Sequence, residues 1–254
     1  MRRPPTIREV SKPGVFIIIK GCGKLKTAIL VDGAFYLKQA QSLFGVKNPE
    51  NRAEELIRYC HRHINPPNGE LYRIFYYDCP PSEKNVYHPL LQKQVSLLNS
   101  PIYKWSTEFH KALVSKRKVA FRRGELLESA AGYILLPETL KRLCRGEIVA
   151  SDLTEKDFRL DIKQKGVDMR IGLDIASIAQ KRQADQIVLI AGDSDFVPAA
   201  KHARREGIDF VLDPLWHPIK PSLHEHIDGL NTCVKKPPEN TKDPLCAKAK
   251  PKDD

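Results

Sequence analysis

Apolar positions along this chain fall into a few short continuous runs, each closed by an acidic residue or a turn signal, with stretches of helical spacing between them. The run from Lys26 to Asp32 leads straight into Gly33, and the aromatic-rich run Leu71 to Asp78 is closed by Cys79-Pro80-Pro81. Gln186 to Asp193 is the strongest strand signal, and Ile208 to Leu212 precedes Asp213-Pro214. Continuous runs of this length suit strands buried on both faces, as in a parallel sheet. Helices are predicted over 34–44, around 53–63 and over 168–182, where Ile171, Ile175 and Ile178 share helical spacing. Another is predicted from Ser194, acting as N-cap, to Gly207, with Pro198 in its first turn, and a last short one over 222–230. Asn65 to Gly69 is a turn cluster.

The middle is less regular. Tyr87–Leu98 and Thr107–Ser115 carry a helical pattern, Lys118–Glu128 and Phe158–Ile162 a strand pattern, and 129–160 the mixed signals of an irregular or partly helical insertion. Strands alternating with helices predict an α/β fold around a mainly parallel sheet. The domain is expected over 26–232, its less regular insertion around 82–160. A basic extension over 1–25, in which Phe16 to Lys20 could add an edge strand, precedes it, and a disordered Lys/Pro-rich tail over 233–254 follows.

Composition narrows the class. The chain has 254 residues, 41% apolar and 29% charged, enough for one sizeable core plus an insertion. No run reaches the roughly 18 apolar residues of a membrane span, and the apolar run Val15 to Ile19 is too short for a signal-peptide core, so a cytoplasmic protein with no membrane partner is expected. Six dispersed cysteines without a C-x-x-C pair predict reduced thiols. The formal charge of +11 is concentrated at the ends: residues 1–26 hold seven basic residues against one acidic, and 234–254 six against four, leaving about +3 for the body. Within the body Lys111, Lys116, Arg117, Lys118, Arg122 and Arg123 follow one another without an intervening acid. A polyanionic partner suits such a block.

The chemistry lies in the aspartates. In an open α/β sheet, ligands collect at the carboxyl ends of the strands near a topological switch point. Asp32 and Asp193 close strands, Asp195 lies in the first turn of the next helix, and Asp168 opens another. Clustered carboxylates repel and raise one another's pKa values unless a cation neutralises them. Mg²⁺ takes carboxylates together with waters and phosphate oxygens, and activates water for attack on a phosphoryl group. Each aspartate taken singly also suits a helix cap or a turn.

Val31-Asp32-Gly33, Lys165-Gly166-Val167-Asp168 and Gly192-Asp193-Ser194-Asp195-Phe196, in that order, resemble the LabA-like branch of NYN domains, over roughly residues 26–230. The resemblance implies a PIN-like three-layer sandwich with a central mainly parallel sheet flanked by helices. It also implies a ribonuclease site dependent on Mg²⁺ or Mn²⁺. By position Asp32, Asp168 and Asp193 correspond to the family's metal-binding residues and Asp195 to the second acid of the G-D-S-D-F motif. Many NYN domains have D-G-x-N after the first strand, whereas this chain has Asp32-Gly33-Ala34-Phe35.

The catalytic set is therefore Asp32, Asp168, Asp193 and Asp195, with Asp32, Asp168 and Asp193 as metal ligands. For single-stranded RNA the candidates are Lys116, Arg117, Lys118, Arg122 and Arg123 on the backbone, Lys165 near the scissile phosphate, and Phe35 stacking on a base. Homodimer formation is an open option. Asp174 is expected in a salt bridge or at the surface, since it lies about 240° round the helix from Asp168. Asp213 and Asp78, ending strands, are outside candidates. His224 and His226, two apart in a predicted helix, point apart and are discounted as ligands. The rivals are a non-catalytic RNA-binding or regulatory module and an aspartyl phosphatase. In the second, the D-x-D pair would follow the first strand, not a late one.

Overall fold

The computed structural model describes residues 24–236. The predicted edge strand at Phe16–Lys20, most of the basic extension and the tail beyond 236 lie outside the described residues. In chain order the elements begin with β1 (Leu25–Asp32), α1 (Gly33–Phe44), α2 (Pro49–His61) and β2 (Gly69–Asp78). There follow β3 (Asn85–His88), β4 (Lys93–Ser96), α3 (Pro101–Val114) and β5 (Val119–Arg123). Next come β6 (Glu125–Leu126), β7 (Gly132–Leu135), α4 (Pro137–Cys144), β8 (Phe158–Asp161) and β9 (Gln164–Lys165). The chain closes with α5 (Val167–Gln180), β10 (Gln186–Ile190), α6 (Val197–Arg205), β11 (Asp209–Asp213), α7 (Pro221–His224) and β12 (Gly229–Leu230).

Six strands form one sheet in the order β12-β11-β10-β1-β2-β5, every adjacent pair parallel. Both faces are covered, which explains the unbroken apolar runs. Ala28, Leu30, Leu189 and Phe210 pack with Ile171, Ile175 and Ala200 of α5 and α6. Ile29, Val31, Ile74 and Ile190 pack with Tyr36, Leu56 and Phe109 of α1, α2 and α3. The expected three-layer α/β architecture, a mainly parallel central sheet flanked by helices, is what the chain adopts.

Local signals set the helix starts. Asn48 and Ser100 accept from the backbone N–H groups of Asn51 and Tyr103, each followed by a proline in the first turn. Gly33 is required by contact: a Cβ there would stand 2.6 Å from the Tyr77 carbonyl oxygen and from the Tyr76 ring, so α1 starts pressed against β2.

Three expectations are corrected. Residues 87–98 are not helical: β3 and β4 form an antiparallel hairpin in which Val86 and His88 are buried, and His88 stacks on Tyr133 and Phe158 at 4.3 and 5.3 Å. The insertion is more ordered than its mixed pattern suggests. β6 pairs antiparallel with β9 and β7 with β8, so a broken ribbon carrying α4 at its far end leaves β5 and returns to α5. The last helix is one turn, Pro221–His224, and Gly229–Leu230 joins the sheet instead, because Asp228 and Asn231 bond to the Phe210 and Leu212 backbone.

Candidate functional site

From β1 the chain moves outward to β2 and β5, then crosses to β10 and moves outward the other way to β11 and β12. The switch point therefore lies between β1 and β10, the place at the carboxyl rim where open α/β sheets bind their ligands. Asp32 ends β1, and Asp193 stands three residues beyond the end of β10, which stops at Ile190 and not at Asp193 as the sequence pattern suggested. The returning ribbon places Gly166 in a left-handed conformation (φ 78°), and α5 starts there with Asp168 in its first turn. Carboxylates are favoured at helix N-termini, which the macrodipole makes positive.

The bland role of two of these acids is present as well. Asp32 accepts from the Phe35 N–H at 3.1 Å as N-cap of α1. Asp193 accepts from the Asp195 N–H at 3.1 Å, so Asp193, not Ser194, is the capping residue here. Ser194 Oγ instead accepts from Lys220 Nζ at 3.0 Å. In both caps the accepting carboxylate oxygen is Oδ1.

Electrostatics tie the acids together. Asp32 is pushed up to about 6, first by burial and then by the charges of Asp168 and Asp78, against the lowering effect of the Phe35 N–H. Asp168 is also raised, by desolvation and then by Asp193 and Asp195. Asp32, Asp168, Asp193 and Asp195 thus form a chain of neighbouring like charges around the switch point. Among the described residues no three His, Cys, Asp or Glu side chains stand close enough to hold one ion. The donor chemistry nevertheless fits a hard divalent cation, being all oxygen and mutually repelling. Asp168, Asp193 and Asp195 are exposed, so rotation about their side-chain bonds is unhindered by burial.

A carboxylate whose folded pKa lies above its unfolded value of 3.8 destabilises the fold once ionised. That cost is absent below 3.8 and complete above about 6. Asp32→Asn keeps an N-cap acceptor and removes the repulsion. With chelator present it is expected to raise unfolding stability at neutral pH by about 1–2 kcal/mol. The gain should shrink as the pH falls through 6 towards 3.8. Urea titrations showing the variant no more stable than the parent at neutral pH would remove the claim of electrostatic strain.

The other candidates divide by position. Lys116, Arg117 and Lys118 precede β5, at the end of the sheet away from the rim, and Lys116 and Lys118 meet Glu54 at 3.8 Å and Glu70 at 3.4 Å. Arg122 and Arg123 are at the rim end, so the basic block is not one surface. Arg122 pairs with Asp174 at 2.9 Å, and Tyr77 donates to the same carboxylate, the structural duty expected of Asp174. Lys165 is exposed in β9, three residues before Asp168. Phe35 is partly buried at the rim. A Cβ on Gly192 would lie 2.5 Å from its ring, and the His217 ring meets it edge-on at 5.8 Å.

Asp78 has more contacts than an outside candidate promises. It is buried at the end of β2, bonded to the Cys79 N–H, Tyr76 Oη, His110 Nε2 and Gln164 Nε2. Asp213 is fully buried in a separate network described below. His110 and Lys220 carry no sequence signal that would have drawn attention to them.

A family model described as the NYN domain matches residues 26–214. Among solved structures, one of a protein of unknown function from Vibrio parahaemolyticus RIMD 2210633 is similar at 15% identity and a TM-score of 0.41, over 84% of this chain and 94% of that one. No curated protein matches.

Proposed function

The chain belongs to the NYN domain family, and we propose that it is a divalent-metal-dependent ribonuclease of the LabA-like branch, hydrolysing phosphodiester bonds of single-stranded RNA. The observation that carries this reading is the set of mutually repelling acids at the switch point, with Asp32 raised to about 6. An RNA-binding surface gains nothing from concentrated negative charge. A site for Mg²⁺ or Mn²⁺ does.

Asp32, Asp168 and Asp193 would hold the ion, Asp168 and Asp193 turning inward to do so. When bound, a divalent cation supplies polarisation of the phosphoryl oxygen and a nucleophile at neutral pH. Asp195, two residues from Asp193 at the mouth, orients the attacking water. Asp32 is bound to the Phe35 N–H, so its carboxylate is fixed before substrate arrives. Lys165 and Lys220 stand at the rim to meet the substrate phosphates, and Phe35 offers part of a ring to a base. No helix among the described residues is long and apolar enough to cross a membrane, and a cytoplasmic location accords with this reading.

The direct test is incubation of the purified full chain with labelled single-stranded RNA and Mn²⁺, with and without excess chelator. Cleavage confined to the chelator-free arm is expected; cleavage that survives the chelator, or none in either arm, overturns the metal-dependent reading. Two observations favour a second reading, a non-catalytic RNA-binding or regulatory module. Among the described residues no three acids stand within reach of one ion, and Phe35 occupies the position of the amide in the D-G-x-N pattern. RNA binding without cleavage would be its signature.

A further inference from the structure

Next to the rim, on the face of the sheet that carries α3, a groove runs between the Pro80-Pro81 turn, α3 and the end of β5. His110 forms its back wall, with Nε2 3.2 Å from Asp78 Oδ2, and the Asp78 charge in turn acts on Asp32. The groove thus adjoins the acid cluster on the side of the sheet edge, through Asp78.

Its charged and aromatic groups are disposed unlike those around it. Along β5 the side chains alternate between faces, so Arg122 turns to Asp174 while Arg123 turns into the groove, its guanidinium 5.5 Å from the Phe121 ring centre. Arg123 and Lys111 are exposed, and among the described residues neither has a carboxylate partner. The acid of the groove, Glu83, accepts from Tyr103 Oη at 2.7 Å. Two cations without a carboxylate partner, one of them a guanidinium set on a ring, match what an unpaired nucleotide needs: charge for the phosphate and a flat cationic face for the base.

We infer that this groove is the subsite for the nucleotide flanking the scissile bond, with Arg123 and Lys111 on its phosphate and its base against the Arg123–Phe121 stack. The inference rests on the ribonuclease reading for its substrate, yet binding can be measured without catalysis. β5 lies two strands from β1, about 10 Å across the rim, so the occupant is a neighbour of the phosphate at Asp32 and not that phosphate itself.

The test is binding of a short fluorescent oligouridylate to the full chain in chelator. The double variant Arg123→Ala, Lys111→Ala is expected to bind about tenfold more weakly, with log Kd against log salt shallower by about 0.7, the value for one neutralised phosphate of a single strand. Arg123→Lys is expected to regain the salt slope and not the full affinity, because it keeps the charge and loses the plane. Lys201→Ala with Arg205→Ala, an equal loss of charge on exposed positions of α6, should leave the affinity unchanged. An affinity unaltered by the first pair, or reduced equally by the control pair, overturns the subsite even if the parent cuts RNA. Selective loss of binding in the first pair, beside a parent that binds but cuts no RNA, upholds the groove as a nucleotide site and overturns the nuclease reading. A parent that binds no oligouridylate overturns the subsite, and the nuclease reading then stands or falls on Mn²⁺-dependent cleavage alone.

Discussion

Asp193→Asn is expected to lower Mn²⁺-dependent cleavage of single-stranded RNA by roughly a hundredfold or more while the fold survives. The fold should survive because Asp193 is exposed and its structural duty is to accept one hydrogen bond, from the Asp195 N–H. An asparagine carbonyl can take over that bond, and asparagine is as good a cap as aspartate. What the substitution removes is the charge. Several kcal/mol of transition-state charge stabilisation come from a correctly held cation, and each 1.36 kcal/mol is about tenfold in rate. The loss should lie in kcat more than in KM, since the groove and the rim cations are untouched. Far-ultraviolet circular dichroism and a thermal melt check the fold, and single-turnover kinetics on a nuclease-free preparation check the rate. Activity within a few-fold of the parent would remove Asp193 from the site.

The contrast with Asp32→Asn separates two roles the same side chain type can play. Both variants should lose activity, but Asp32 is half-buried and raised to about 6 through burial and its charged neighbours, whereas Asp193 is exposed. Its neutralisation should therefore stabilise the apo chain, whereas neutralising exposed Asp193 should leave stability nearly unaltered. If the acids were only caps, neither substitution would change cleavage, although Asp32→Asn would still stabilise, because burial is the first cause of its raised value.

The elements nearest the switch point were the most legible in the sequence, for a physical reason. A strand buried on both faces must be apolar at every position, so β1 and β10 stand out as unbroken runs. The acids at their ends stand out because charge interrupts those runs. The ends were less legible: β10 stops at Ile190, since sheet pairing gives way to a turn that the sequence pattern does not mark. The β3–β4 hairpin was hidden by its leucines. Each strand is four residues long, too short for alternation to outweigh the helical spacing of Leu90, Leu91, Leu97 and Leu98. What decides it is distant, the packing of His88 on Tyr133 and Phe158. Contacts made across the fold left no local trace. His110 meets Asp78 across 32 residues and the groove beside them belongs to three separate elements. The basic block looked like one surface only because it is continuous in sequence, whereas β5 runs through it and carries its two halves to opposite ends of the sheet.

Asp213→Ala is expected to destabilise the fold by about 3–5 kcal/mol, the scale of leaving one partner of a buried charge pair alone. Out of a typical total of about 5–15 kcal/mol, few substitutions should do more. Asp213 is wholly buried at the end of β11 and accepts from Tyr59 Oη, from His63 Nε2 at 2.9 Å, from Thr232 Oγ1 at 2.8 Å and from the Leu215 N–H at 2.9 Å. One carboxylate thereby joins α2, the sheet and the segment after β12. Burial alone would pull His63 down, but its bonds to the Asp213 carboxylate and to Cys233 outweigh that and hold it up at about 9. His63 is therefore the cationic half of a buried pair at neutral pH. Because its folded value exceeds its unfolded 6.5, its contribution is complete below 6.5 and is lost as the pH rises through about 9.

The same carboxylate reaches the functional rim. Its bond to the Leu215 N–H holds a turn in which both Leu215 (φ 48°) and Trp216 (φ 65°) are left-handed, a conformation unfavourable for side chains of that size. His217 follows, against Phe35, and Phe35 packs on Gly192 next to Asp193. Without the carboxylate the turn has no reason to stay left-handed, and the contact that seats Phe35 should loosen with it. Asp213→Asn retains acceptors and loses the charge, so it should fall between parent and alanine variant, and its stability should no longer decline between pH 6.5 and 9 as the parent's does. Urea unfolding across that range measures both effects. An alanine variant within about 1 kcal/mol of the parent, a cost typical of ordinary substitutions, would show that the pair under the rim is dispensable.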